Sequence, residues 1–174
     1  MRDLLKSLKL IREFETRITI HKNEFTERLK SHVKTGDPSP LFSGLEIFST
    51  DKREYIGEVN YDGFKFRRRR RLFEISLNSA IAKGKFLQKS EHLLITTEVN
   101  GFHGIMLFWF VFIFLFYLTF IILAISMENF PLLSLPLILL HGIFMLGIPY
   151  LVLRRGCNRM VYNLERELVY IATT

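Results

Sequence analysis

Arg67, Arg68, Arg69, Arg70 and Arg71 form one unbroken run, and guanidiniums at that density are suited first of all to holding phosphates. The run closes a predicted strand, where successive side chains point to opposite sheet faces. The pattern therefore predicts a strand that leaves the sheet or lies at its edge, with the arginines exposed. Next to a membrane they would hold anionic lipid headgroups, each contributing at most about 1 kcal/mol. Arg154 and Arg155 join the same candidate set. A solvated edge that discourages strand pairing is the plainer alternative. An acidic partner, a nucleotide or RNA is the third, and nucleic acid is disfavoured because no aromatic stacking motif accompanies the charge.

His141 is the second candidate. It lies midway along a charge-free stretch, where an ionisable group is costly and points either to proton or ion handling or to a hydrogen bond at a helix interface. The preceding apolar stretch supplies no Asp, Glu, Lys or Arg to pair with it, which favours the structural role. Gly142 and Gly147 are the small residues through which helices pack closely in lipid. His21, His32, His92 and His103 lack a metal-ligand spacing. The single cysteine, Cys157, excludes an intramolecular disulfide and a thiolate zinc cluster. It is an acylation candidate by position, with an ordinary small side chain as the plainer reading. No paired carboxylates, nucleophile elbow, Gly-rich phosphate loop or HExxH pattern occurs. The sequence thus predicts no catalytic residue, no metal and no cofactor, and a non-enzymatic role.

The elements that would position these residues fall into two classes. The chain of 174 residues is 24% charged and carries a net charge of +7, yet between His103 and Arg154 the only charge is Glu128. Two charge-free runs, 105–127 and 132–153, are each long enough to cross a hydrocarbon core of roughly 30 Å. Lys85 and Lys89 precede the pair, Arg154, Arg155 and Arg159 follow it, and the loop between has no Lys or Arg. This predicts a hairpin with both chain ends cytoplasmic. The charged N-terminus lacks the uninterrupted apolar core of a signal peptide. The first span is crowded with Phe108, Phe110, Phe112, Phe114, Phe116 and Phe120, expected to lie against the Gly142 region of the second.

Before the hairpin, Phe14, Thr16, Ile18 and Ile20 alternate as one face of a strand. A helix capped by Asn23 then carries Phe25, Leu29 and Val33. Strand-like segments follow at Leu45–Phe48, Glu54–Asn60, Gly63–Arg69, Ala80–Gln88 and His92–Val99, with turns at Asp62-Gly63 and Lys89-Ser90-Glu91. Leu4, Leu5, Leu8 and Ile11 predict a short amphipathic helix. Met160, Val161, Leu164, Leu168 and Ile171 predict a C-terminal one folded back on the sheet. The expected class is α+β: an antiparallel β-meander domain at 1–100 with one or two amphipathic helices, a transmembrane hairpin at 104–153, and an amphipathic tail at 154–174.

At Gly57-Glu58-Val59, the turn before Phe64-Lys65-Phe66-Arg67-Arg68, Asn78-Ser79, Gly84-Lys85-Phe86 and the direct passage into the hairpin, the chain resembles uncharacterised small bacterial membrane proteins. In these a β-rich cytoplasmic domain precedes a transmembrane helix hairpin, and the resemblance covers roughly residues 54 to 125. It implies a bacterial inner-membrane setting and supplies no catalytic residues. The expected function is a membrane-anchored interaction or scaffold module that presents a basic cytoplasmic domain to the inner leaflet. Its partners would be anionic headgroups of the bilayer, a protein, or a second copy. The rival expectation is an oligomeric pore-forming effector controlled by its cytoplasmic domain.

Overall fold

The computed structural model describes residues 1–39, 53–69, 80–126 and 134–173. In chain order it contains α1 (Arg2–Ser7), β1 (Ile11–Ile18), α2 (Lys22–His32), β2 (Val33–Thr35), β3 (Tyr55–Asn60), β4 (Gly63–Arg68), β5 (Ile81–Lys89), β6 (His92–Asn100), α3 (Gly104–Ser126) and α4 (Ser134–Thr173). The expected strand at Leu45–Phe48 lies outside the described residues.

Alternation builds the sheet. Thr16 and Ile18 of β1, Ala82 and Phe86 of β5, and Leu93, Ile95, Thr97 and Val99 of β6 are buried, whereas Lys83 and Lys85 between them are exposed. The strands are ordered β1-β6-β5-β4-β3-β2. β3 to β6 form an antiparallel meander, and β1 closes antiparallel on β6. β2 pairs parallel with β3, so the sheet is mixed and not strictly a meander. Two glycines leave room for close approach, one to an aromatic ring and one to the neighbouring backbone. A Cβ on Gly84 would stand 2.2 Å from the Phe64 ring, and one on Gly57, at φ 156°, only 2.2 Å from the Lys65 carbonyl oxygen.

Two helix boundaries fall elsewhere than the local signals put them. α2 starts at Lys22, not after Asn23, because the Lys22 N–H donates to Gln88 Oε1 of β5 at 2.9 Å. α1 ends at Ser7, so Ile11 belongs to the first strand. Lys9 takes a left-handed conformation (φ 58°), and the Lys9 and Leu10 N–H groups bond back to the Lys6 and Leu5 carbonyls. This is the geometry in which a helix closes on a residue usually filled by glycine.

The chain divides into two compact units, Met1–Gly101 with Leu153–Thr174, and Phe102–Val152. The tail thus belongs to the same compact unit as the sheet. Cys157, Met160, Leu164, Leu168 and Ile171 are buried in one core with Phe25 and Leu29 of α2 and the inner sheet residues. Polar contacts pin the same stretch. Arg12 Nη1 donates to Asn158 Oδ1 at 3.0 Å, and Arg28 Nη1 donates to the terminal carbonyls of Ile171 and Ala172 at 3.3 and 3.2 Å. A guanidinium there satisfies acceptors that the helix itself cannot.

The second unit is a pair of helices long and apolar enough to cross a membrane. α4 runs unbroken past the expected end of the second span, since nothing between Leu153 and Asn158 breaks it and Pro149 is accommodated inside it. Side chains such as Phe108 (72% exposed) and Ile143 (67%) point outward. Within the unit, Ile113 and Ala124 of α3 are buried, and Tyr117 between them lies over Gly142.

Candidate functional site

Arg67 is 1% exposed and Arg69 7%. β4 is an interior strand, between β5 and β3, so the run neither leaves the sheet nor lies at its edge there. Arg67 shares its row with Ile56, Ile81, Asn100 and Ile11, all buried or half-buried, so this end of the sheet is covered on both faces. Arg68 points to the helix side, half-buried, with Nη2 3.9 Å from Glu54 Oε2. Arg70 and Arg71 lie outside the described residues. Of the later pair, Arg155 is exposed and Arg154 half-buried.

The exposed basic surface is elsewhere. On the face opposite α2 and α4, Lys65, Lys83 and Lys85 are exposed and make no ion pair among the described residues. Lys65 and Lys83 are direct cross-strand partners, and Glu58 and Glu98 are their outer neighbours in the same row, so the like-charge repulsion is offset in part by a carboxylate beside each lysine. At the β1 side of this face Arg2 and Lys6 of α1 pair with Glu13, and Arg2 also with Glu98. These contacts hold the Glu13 carboxyl below its usual range, the Lys6 hydrogen bond most of all.

On the other face, the seam between the sheet and α4 opens into a cavity of about 370 Å³. Its sheet wall is Glu54, Tyr55 and Arg68, and its helix wall Asn163, Glu167 and Tyr170, one turn apart, with Arg166. The wall positions follow from periodicity: Tyr55 and Arg68 are register partners facing α4, and residues 163, 167 and 170 share one helix face. At the floor Tyr55, only 2% exposed, donates its hydroxyl hydrogen to Glu167 Oε2. Burial drives the Tyr55 phenol far above its usual range, and the adjacent Glu167 charge adds to the shift. Burial also lifts the Glu167 carboxyl, against the Tyr55 hydrogen bond, and the nearby Glu54 carboxylate pushes the same way. Buried ionisable groups with shifted protonation in a cleft mark a candidate site.

In the second unit, Tyr117 Oη and His141 Nδ1 are hydrogen-bonded across the helix pair. His141 nevertheless remains exposed on its other side. Over Gly142 lies Tyr117, not one of the phenylalanines. A Cβ on Gly147 would meet nothing within 4 Å, so no close approach occurs there within one chain. Cys157 is fully buried, its thiol 3.7 Å from the Val99 carbonyl oxygen and pushed up by burial, which removes it from acylation chemistry. No group of three metal-ligating side chains stands together among the described residues.

Sequence reasoning found Arg67 to Arg71 by their density but not the lysine face or the cavity. Both are assembled from residues that only strand register and helix docking bring together. No protein-family model, curated protein or solved structure matches the chain.

Proposed function

We propose that this protein is a membrane-anchored interaction module of the bacterial inner membrane: α3 and the first half of α4 cross the bilayer, and the sheet domain engages anionic headgroups on the cytoplasmic side. The observation that carries this reading is the exposed cluster of Lys65, Lys83 and Lys85, none of which makes an ion pair among the described residues although Glu58 and Glu98 flank Lys65 and Lys83 in register. Side-chain amines near an anionic surface contribute about 1 kcal/mol each, so three supply at most about 3 kcal/mol, or roughly 100-fold in affinity.

Two further observations support the topology. Gly101 and Leu153, where the helix pair leaves and rejoins the domain, are adjacent in one folded unit: a Cβ on Gly101 would stand 3.4 Å from the Leu153 carbonyl oxygen. A pair of spans inserted there has both of its ends on one side. Arg154, Arg155 and Arg159 favour that side being cytoplasmic.

The test uses the full chain in phosphatidylcholine nanodiscs, with flotation against vesicles rich in phosphatidylglycerol. Replacing Lys65, Lys83 and Lys85 with Gln should abolish capture and its salt dependence, whereas Arg67→Gln should lower thermal stability and spare binding per folded molecule. Capture unchanged by the triple substitution would overturn the reading. A dye-release arm separates the pore-forming alternative, since an anchored module leaves vesicles sealed.

A further inference from the structure

The short helix α1 is turned against the usual rule. Its basic residues face the protein: Arg2 pairs with Glu13 and Glu98, and Lys6 Nζ lies 2.8 Å from Glu13 Oε1. Its apolar residues face out. Met1 is 79% exposed, Leu4 62% and Leu8 37%, and Leu5 between them is half-buried. At about 100° per residue Leu4, Leu5 and Leu8 fall on one stripe, with Arg2 and Lys6 on the flank beside it. Packing that stripe on the sheet would stabilise the domain by removing apolar surface from water. A helix held by its charges instead leaves its leucines for a second apolar phase.

The location of α1 says which phase that is. The Leu10 N–H donates to the Leu5 carbonyl at 2.9 Å, and the Leu10 carbonyl accepts the Gly101 N–H at 2.8 Å. From Gly101 the chain passes on to α3, and where it returns, the Leu153 carbonyl oxygen stands 3.4 Å from the position of a Cβ on Gly101. The end of α1 is therefore bonded to the point at which both apolar helices join the domain. α1 is only about 9 Å long at 1.5 Å per residue, so its whole length stays close to that point. The helix is also continuous with the basic face of the sheet, since Glu98, which holds Arg2, is the register partner of Lys83.

We propose that α1 is an interfacial helix: Met1, Leu4 and Leu8 enter the boundary between headgroups and acyl chains of the leaflet next to the domain, and Lys9, exposed in the following turn, reaches the phosphates. An apolar helix face sinks about 5–10 Å into that boundary, within reach of a helix bonded to the span junction. The contact is apolar and needs no anionic lipid. It rests on the reading that α3 and α4 span the bilayer and is independent of the lysine cluster. Its consequence is orientation. A second attachment beside the span junction resists rotation of the domain, and it turns toward the headgroups the sheet face that carries Glu13, Glu98, Lys83 and Lys65.

The experiment uses the full chain reconstituted in vesicles of phosphatidylcholine alone, which offer the three lysines no net negative surface. Cys157 is fully buried, so an environment-sensitive fluorophore can be attached to one introduced thiol at a time. Leu4, Ser7 and Glu91 are exposed, so replacing them leaves the fold intact. A fluorophore on Leu4→Cys should emit at shorter wavelength than one on Ser7→Cys, on another flank of α1. It should also emit at shorter wavelength than one on Glu91→Cys, at the far end of β6 and about 30 Å from Gly101. A nitroxide near the carbonyl end of the lipid chains should quench at Leu4, and iodide in the water at Ser7 and Glu91. Leu8→Gln removes apolar surface from the stripe and should shift the Leu4 emission toward that in water. A fluorophore on Phe112→Cys, exposed on α3, reports the spans separately through a nitroxide deep in the chains. No quenching at Phe112 overturns the span reading and this inference with it. Quenching at Phe112 with Leu4 open to iodide overturns this inference alone. A Leu4 fluorophore shielded from both quenchers also overturns it, and identifies a protein surface, such as a second copy, over the stripe.

Discussion

Gly101 closes directly against Cys157: a Cβ built on Gly101 would stand 3.2 Å from the Cys157 Cβ. The end of the last strand thereby meets the helix that returns after the helix pair, and the contact seals a domain whose chain is interrupted by fifty-odd residues. Because the Cys157 Cβ is fixed by a buried helix, it cannot move away as a flexible side-chain tip would. Gly101→Val should therefore destabilise the folded chain by about 1–3 kcal/mol, the usual cost of overpacking. Gly104→Ala, whose Cβ meets nothing within 4 Å, is the control. Denaturant unfolding in detergent measures both, and equal stability would show that the closure is slack.

Glu167 gives the domain a pH dependence of defined sign. Burial raises its folded-state protonation equilibrium above the unfolded one, so the folded chain holds that proton more tightly. The contribution is fully present below the ordinary carboxylate range and is lost as pH rises through the raised folded value. Glu167→Gln mimics the protonated form and still accepts from Tyr55. Its stability relative to the parent should rise from pH 4 to pH 8, as read by melting temperature. Tyr55→Phe should do the reverse at neutral pH, costing about 1–3 kcal/mol by leaving a buried carboxylate without its donor. A Gln variant that loses stability equally at every pH would remove the desolvation account.

The sequence makes the strands and the apolar helices legible because each carries its own period: Phe14, Thr16, Ile18 and Ile20 at two, Met160, Leu164, Leu168 and Ile171 at helical spacing. The two sites are less legible. The run Arg67 to Arg71 announces charge but not the burial of Arg67 and Arg69, because burial depends on what covers both faces of the sheet there, and no local pattern encodes that. Lys65 and Lys83 are far apart in sequence and become neighbours only through the β4–β5 register. Tyr55 and Glu167 are 112 residues apart in the chain, and their pairing depends on the tail completing the core.

The glycines of the sheet make a further prediction. Phe64 and Gly84 are register partners, and the ring occupies the space a Cβ on Gly84 would need. Gly84→Ala alone should cost about 1–3 kcal/mol. Combined with Phe64→Leu, the cost should be well below the sum, since the smaller side chain vacates that space. A double-mutant cycle measures the coupling, and strict additivity would show that the ring and the glycine do not compete.

The helix pair supplies the last prediction. Apolar burial gives no advantage in lipid, so association of the two helices rests on close packing and hydrogen bonds. Both are concentrated at one level: Tyr117 Oη meets His141 Nδ1, and the Tyr117 ring lies 3.4 Å from the position of a Cβ on Gly142. Tyr117→Phe keeps the ring and removes the bond, and should cost about 0.6 kcal/mol, at most about 1.7. Gly142→Leu must displace the ring and lose the bond with it, and should cost more than Tyr117→Phe. Gly147→Leu has free space to enter and should be silent in the monomer. Unfolding in detergent ranks the three variants. If Gly147→Leu proved as damaging as Gly142→Leu, the Gly147 face would be packed against a second copy of the chain, and crosslinking across that face would detect it.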